Sequence, residues 1–467
     1  MKAIESVYNC KSMNMIVELI NTCNLKCTYC FEKCQDERIA KIMPVEVLEK
    51  AIDFLVSKRE NCHLTFFGGE PTLCRELIAK GIEYGNKLAR EKKSYIAYSI
   101  VTNGTILDEE FLHLLNVNNV NIVFSFDGNE YYQNKYRPYL DGRNTYSDVL
   151  GNLKKLVKTR EDERYGHLVV RPTITAEMID YINEIYADLR LIGCKEISFS
   201  LVSASEEAEY AIKKDDIPKL KEEYLKMIDN YYEELKRGVS YNKFFEGLLA
   251  RIEEENSSTE FCDCGKRYIA ISVEGNIFPC EGFLGIDAFQ MGSILDGKIL
   301  TEWKRPENVC ENKKCCNCWA KYLCGGSCYH EAWMRTGSIN ERDELICETY
   351  KIAIECALRL YVKLKEADID VAHILKASKL PERSKPKINN AEIRMIEDDF
   401  IYVGDGINHR VIKINETAKK ICSLCTGENT ISDISFSLME EYGQEIFSDV
   451  NDFVKDLLEN GIIKLLI

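Results

Sequence analysis

The chain has 467 residues, with 61 Lys or Arg against 76 Asp or Glu, for a net charge of −15. So acidic a surface repels phosphate backbones and disfavours nucleic-acid binding, and no apolar run approaches the roughly 20 residues that a membrane span needs. Residues 1–14 hold no continuous apolar segment of the signal-peptide kind, so a cytoplasmic location with neither nucleic acid nor membrane as partner is the expectation.

In chain order, β-branched or aromatic runs at Met15–Ile20, His63–Phe67, Tyr95–Val101, Val120–Phe126, Leu168–Thr175 and Glu196–Leu201 predict six strands. Helical spacing of apolar residues predicts helices over Pro44–Ser57, Thr72–Glu91, Asp108–Leu115, Tyr146–Thr159 and Met178–Leu191, with Pro44 suited to a first helical position. Strands alternating with helices imply an α/β fold with a parallel sheet; this pattern does not separate an open sheet from a partial barrel. A charged helical stretch follows over Asp215–Glu255. The next region, Cys262 to Cys347, is cysteine-rich and has few long periodic segments. A helix over Tyr350–Glu366 then leads to a linker containing Leu380-Pro381 and Lys385-Pro386.

From about residue 390 a small separate domain is expected. Strand-like runs at Ala391–Ile396, Phe400–Val403 and Arg410–Ile414 precede three helices. One begins at Asn415 and one at Thr430-Ile431-Ser432-Asp433; the last carries Ile446, Val450, Phe453, Val454, Leu457 and Leu458 on one face. With 15 acidic and 7 basic residues over 391–467, this tail argues against a DNA-binding winged helix.

Cysteine is the anomaly. There are 21, crowded mainly into two places in a chain too long to need disulfide stapling, which points to metal ligation. Cys23-x3-Cys27-x2-Cys30 directly follows the first strand. Three thiolates on one tight loop can hold three corners of a cubane and leave the fourth iron open to a chelating cofactor. The alternative is a zinc knuckle borrowing Cys34 or a distant cysteine, although the spacing is unusual for zinc. Downstream stand Cys264, Gly275-x4-Cys280, Cys315-x2-Cys318-x5-Cys324-x3-Cys328 and Cys347. Seven thiols exceed one tetrahedral site and approach two four-thiol sites. At successive strand ends come Gly68-Gly69-Glu70-Pro71, Thr102-Asn103-Gly104 and Ser125-Phe126-Asp127-Gly128. Singly these are ordinary turn sequences; together they stand where parallel α/β barrels gather their active-site groups.

This set of motifs resembles the radical S-adenosylmethionine (SAM) superfamily over most of residues 12–235. The resemblance implies a partial (β/α)6 TIM-like barrel, with Cys23, Cys27 and Cys30 ligating a [4Fe–4S] cluster whose open iron binds SAM. The Gly68, Gly69 and Glu70 backbone would meet the SAM amino group, and Ser125 and Arg137 its carboxylate. Thr102 and Asn103 would border the cofactor, Tyr29 would pack near the adenine, and Arg171 and Leu201 would wall the site. The second cysteine string resembles the SPASM extension of radical SAM peptide-modifying enzymes, which carries two auxiliary [4Fe–4S] clusters. Cys264, Cys280 and Cys328 would hold the inner cluster and Cys315, Cys318, Cys324 and Cys347 the outer one. Either Cys262 is the fourth inner ligand or that cluster keeps an open iron for a substrate thiolate. Cys310 and Cys316 fit no ligand slot. Glu281, directly after Cys280, stands where sulfatase maturases carry a basic carboxylate.

The tail resembles a RiPP recognition element, a small winged-helix-like α+β domain that binds the leader of a ribosomal precursor peptide as an added strand. The implied layout is a radical SAM core at 12–235, a helical connection at 236–261 and the SPASM segment at 262–350. A helix and linker at 351–389 and the leader-binding domain at 390–467 complete it. The expectation is a radical SAM peptide maturase with three [4Fe–4S] clusters and SAM, a flavodoxin or ferredoxin as electron donor, and a thioether of the sactipeptide or ranthipeptide type as product. Formylglycine formation, carbon–carbon cross-linking and epimerisation are rival activities, and a zinc-scaffold binding protein is the non-enzymatic rival.

Overall fold

The computed structural model describes residues 12–375 apart from 33–39, 58–60, 93, 161–165, 255–257, 297, 300–302 and 373–374. In the tail it describes 385–388, 393–397, 400–403, 410–413, 416–427, 429, 431–442, 450, 453–454, 457 and 463–466. The chain divides into two compact units, one reaching Leu375 and one beginning at Lys376.

In the first unit, β1 (Ser12–Ile20), β2 (Asn61–Gly68), β3 (Tyr95–Thr102), β4 (Asn121–Phe124) and β5 (Leu168–Val170) run parallel, side by side. The short strands β6 (Thr173–Ile174), β7 (Glu196–Ile197) and β8 (Ser200–Leu201) follow, β7 pairing with β5 and β8 with β6. The runs expected over Leu168–Thr175 and Glu196–Leu201 are thus each divided in two. Pro172 has no N–H to donate, which explains the break in the first. The ladder nonetheless continues through Ser198 N–H to Val170 O (3.0 Å) and Ser200 N–H to Pro172 O (3.0 Å). Met15, Val17, Leu19, Leu64, Phe66, Ile100, Phe124 and Val170 are fully buried, as strands covered on both faces require.

The sheet extends on the other side of β1. There β9 (Tyr268–Ile271) pairs parallel with β1, and β10 (Asn276–Phe278), β11 (Gly292–Ser293) and β12 (Lys298–Ile299) add antiparallel strands. The order β12-β11-β10-β9-β1-β2-β3-β4-β5-β7 is open, with a different strand at each edge. The cysteine-rich segment is therefore built onto the same sheet as the first 200 residues.

The charged stretch at 215–255 is two helices, Ile217–Lys236 and Lys243–Glu253, the second capped by the Asn242 side chain on Phe245 N–H (3.1 Å). The helix expected from Tyr350 starts earlier, at Glu344, where Asp343 accepts from Ile346 N–H (3.0 Å). A short helix, Glu130–Tyr136, is too brief to show periodicity in sequence; Asn129 caps it.

In the second unit, β14 (Ile393–Glu397), β15 (Phe400–Val403) and β16 (Arg410–Lys413) form an antiparallel meander, followed by helices Glu416–Leu424 and Ile431–Tyr442. Lys385-Pro386, expected in a linker, instead lies in β13 (Lys385–Ile388), paired antiparallel with β17 (Ile463–Leu466). Proline tolerates such an edge position. Most of the helix expected around Ile446–Leu458 lies outside the described residues. No described helix is long and apolar enough to cross a membrane.

Candidate active site

The first thiol loop leaves the end of β1 and is held by main-chain bonds. Lys26 N–H donates to Pro138 O (2.8 Å), Thr28 N–H to Tyr136 O (2.9 Å) and Cys30 N–H to Cys27 O (3.2 Å). From the end of β2, Gly69 N–H reaches Ile20 O (2.9 Å) and Glu70 N–H reaches Thr22 O (3.1 Å). This approach requires glycine. A Cβ on Gly69 would lie 2.0 Å from Thr22 O, and Gly68 has a left-handed φ of +112° with Ile20 O 2.3 Å from where its Cβ would be.

Glu70 is buried and its carboxylate is fully used inside the protein. Oε1 accepts from Thr72 N–H (3.0 Å), Thr72 Oγ1 (2.7 Å) and Thr102 Oγ1 (2.7 Å); Oε2 accepts from Asn103 N–H (2.7 Å). Burial pushes the carboxyl above its usual range, and these bonds oppose that shift. Glu70 thus offers only its main chain to a ligand, and Thr102, expected at the cofactor, spends its hydroxyl on Glu70. Asn103 is carried to the cysteine loop, its Nδ2 lying 3.6 Å from Cys23 Sγ and 2.9 Å from Asn24 Oδ1.

Arg137 is buried at 6 % exposure beside the same loop. Its Nη1 donates to Tyr29 Oη (3.1 Å), and Tyr29 in turn donates to Asp127. Asp127 is fully buried and also accepts from Thr173 N–H (3.0 Å). Arg137 Nε has no partner. A buried guanidinium whose Nε–H has no partner suits a ligand carboxylate. Ser125 is fixed at the end of β4 by its N–H bond to Thr102 O (2.9 Å).

Burial pushes the Cys23 thiol up to about 12 and Cys27 up to about 11, with the Arg137 charge opposing the second shift. Such thiols ionise only when a cation compensates the charge, as iron does. The cradle at Gly69, the unpartnered Arg137 Nε and the three-thiol donor set therefore fit a cluster with a chelating amino acid on it.

In the cysteine-rich segment, the Cys264 thiol is in side-chain contact with both Cys262 and Cys280, and Cys328 is within electrostatic reach of Cys280. Cys315, Cys318, Cys324 and Cys347 line one cavity of about 900 Å³. Among the described residues, no three His, Cys, Asp or Glu side chains converge closely enough to hold a single metal ion. A cubane needs wider spacing than a tetrahedral zinc site. Cys316 bonds Lys313 O (3.4 Å) and Cys310 is exposed, both away from that cavity; Cys34 lies outside the described residues.

Glu281 accepts a 2.6 Å bond from Tyr268 Oη. Arg171 and Leu201 line a second cavity of about 310 Å³ together with Cys328 and Glu331. Sequence reasoning missed Glu331, whose carboxyl burial pushes up to about 7 against the opposing charges of Arg171 and Arg335. It also treated Asp127 only as part of a turn, although the side chain anchors Tyr29. No local signal marks either one, because burial comes from segments far away in the chain.

Residues 17–185 match the model of the radical SAM superfamily, and residues 401–463 match that of coenzyme PQQ synthesis protein D. The chain is 27% identical over 376 residues to a cysteine-type anaerobic sulfatase-maturating enzyme of Clostridium novyi, covering 74% of this chain and 95% of that one. It is 25% identical over 391 residues to the radical SAM cyclopropyl synthase TigE of Paramaledivibacter caminithermalis, covering 79% and 78%. Native anSMEcpe with bound AdoMet and the Kp18Cys peptide shares the fold, with a TM-score of 0.64 at 24% identity over 76% of this chain and 99% of that one. The chain thus carries a radical SAM domain on a mixed α/β fold, which implies SAM and a [4Fe–4S] cluster.

Proposed function

We propose that the chain is a radical SAM maturase that closes a thioether between a cysteine and an unactivated carbon of a ribosomal precursor peptide. The observation carrying this reading is the first thiol loop, three cysteines at a strand end clamped through Gly69 and faced by the unused donor of buried Arg137. A reduced [4Fe–4S] cluster with bound SAM supplies a 5′-deoxyadenosyl radical able to take a hydrogen atom from such a carbon.

Cys23, Cys27 and Cys30 would hold that cluster, and the main chain at Gly69 and Glu70 would receive the SAM amino group. Arg137 would grip the carboxylate, kept in orientation by Tyr29 and Asp127, while Glu70 locks the strand ends in register and the buried surroundings exclude water. Cys264, Cys280 and Cys328 would hold an inner auxiliary cluster, its fourth iron bound by Cys262 or left open for a substrate thiolate, and Cys315, Cys318, Cys324 and Cys347 an outer one, with Glu281 as a candidate base. The match at 401–463 and the antiparallel meander of the tail support a winged-helix-like leader-binding domain, in which the peptide adds as a strand. A flavodoxin or ferredoxin is the donor class that suits such a one-electron requirement.

Formylglycine formation is the second reading. The sulfatase-maturating relatives favour it, as does the contact between Cys262 and Cys264, which supports a fully ligated inner cluster with no iron left for a substrate thiolate. The deciding experiment incubates anaerobically reconstituted protein with reductant, SAM and precursor peptide and weighs the product. Loss of two hydrogens with consumption of a thiol supports the thioether. Replacement of the thiol by an aldehyde supports formylglycine, and absence of reductive SAM cleavage overturns both.

A further inference from the structure

We infer that Arg342 is a buried counter-charge of the outer four-thiol site and raises the reduction potential of the cluster held there; the inference rests on the reading of that site as a [4Fe–4S] cluster. Arg342 is 1% exposed and lines the cavity shared by Cys315, Cys318, Cys324 and Cys347. Its Nη1 and Nη2 donate to the main-chain carbonyls of Ile339 (3.1 Å) and Glu307 (3.2 Å), and its Nε has no partner. No carboxylate among the described residues pairs with it. Arginine does not shed its proton in a protein, so among the described residues this is a buried full charge without a paired opposite one, an arrangement that is costly by itself. Four thiolates around a cubane carry net negative charge and would supply the missing partner, with Lys351 of the same cavity a second, more exposed cation acting on Cys318 and Cys347.

The surrounding backbone is arranged in the same sense. Gly325, Gly326 and Ser327 take φ values of +71°, +101° and +66°, and this turn aims the Gly326 and Ser327 N–H groups at the Cys324 thiol. Successive N–H groups in such a turn make an anion-binding concavity. Arg342 packs directly behind it, its Nη2 lying 3.2 Å from where a Cβ on Gly326 would be. The Arg342 carbonyl receives Lys314 Nζ (2.9 Å), tying the arginine to the residue before Cys315. Reduction adds one electron to the cluster, and a fixed cation in a low-dielectric setting favours that negative state.

Arg342 is thus a positioning and tuning residue, tested by EPR-monitored redox titration of the reconstituted full-length holoenzyme. The outer signal is identified as the one lost in Cys347→Ala. In Arg342→Gln the outer cluster should become harder to reduce, its ratio of reduced to oxidised form at a fixed poise falling about tenfold. Iron content and the other signals should stay unchanged, and Arg342→Lys should restore the wild-type value. If Arg342→Gln fails to retain the outer iron while Arg342→Lys keeps it, charge compensation is still supported. An unchanged potential in iron-replete Arg342→Gln overturns the inference, as does equal damage in the Gln and Lys variants. A wild-type chain with no iron in this site overturns the cluster reading and the inference with it, and is recognised by metal analysis before any variant is made.

Discussion

The two cysteine regions solve the same problem in opposite ways. In the first, three thiols share one short loop, and everything they need arrives on the ends of β1, β2, β3 and β4, whose register is set by a buried parallel sheet. In the second, past strands β9–β12, the thiols Cys315, Cys318, Cys324 and Cys347 come together with only short helices between them, through side-chain ties such as Asn312 to Asn340 O (2.9 Å) and Arg342 to Glu307 O (3.2 Å). The sheet precedes the metal in one region; in the other the metal is expected to be part of the core. Ligand binding and folding should therefore be separable at the first site and coupled at the second.

The largest test of that contrast is a pair of cysteine replacements. Cys27→Ala should abolish reductive SAM cleavage and remove about four irons per chain, yet leave the thermal midpoint of the iron-loaded protein within a few degrees. Cys318→Ala should remove a similar amount of iron and lower the midpoint clearly, as read by calorimetry under anaerobic conditions. Equal thermal effects would erase the distinction. Gly69→Ala comes next. Its Cβ would meet Thr22 O at 2.0 Å, and backbone cannot yield as a flexible side chain does, so a cost of about 3 kcal/mol is expected. Chemical denaturation should record that cost, with loss of equilibrium SAM binding.

Glu70→Gln probes the same junction more gently. The amide keeps the volume but cannot accept at both oxygens, leaving at least one of four buried donors unpaired. Urea unfolding should show a loss of about 2 kcal/mol. Glu331→Gln makes the corresponding change in the second region, and its effect depends on pH. The folded carboxyl lies at about 7 against an ordinary 4.5, so the folded state holds the proton more tightly than the unfolded state. Wild-type stability then declines as pH rises from about 4.5 to about 7. Arg171 and Arg335 oppose the shift, while Cys328 and Tyr350 also face this carboxyl. The variant should lack that decline and, above pH 7, exceed the wild type by about 3 kcal/mol. Parallel stability curves for the two proteins from pH 4.5 to pH 8 would contradict it.

The first site was legible because its groups fall at strand ends, where period-two patterning and turn residues coincide in sequence. Cys23, Gly69 and Asn103 are all positioned that way, whereas Arg137 ends the short helix Glu130–Tyr136. The burial of Asp127 was not legible, since an Asp-Gly turn looks the same whether solvent or Tyr29 covers it. Arg342 and Glu331 were invisible for a related reason, because their surroundings come from segments tens of residues away. The division of β5 from β6 followed from Pro172, which the strand-like composition of Leu168–Thr175 concealed. In the tail, Lys385–Ile388 resembled a linker because its partner strand, Ile463–Leu466, lies nearly eighty residues downstream.

The smallest expected effect asks whether the second region is held locally or only through its metal. Tyr268 lies on β9, opposite Asn14 of β1, so its backbone belongs to the sheet while its hydroxyl donates to Glu281 beside Cys280. Tyr268→Phe keeps the strand pairing and the ring and removes only that 2.6 Å bond. A metal-independent tie should cost about 1 kcal/mol in apo and iron-loaded protein alike. A cost seen only in the loaded protein would mean that the Glu281 segment adopts this geometry when the inner thiols are ligated. The contrast would then be sharper than proposed, with the boundary between pre-formed sheet and metal-dependent core falling at Tyr268 itself.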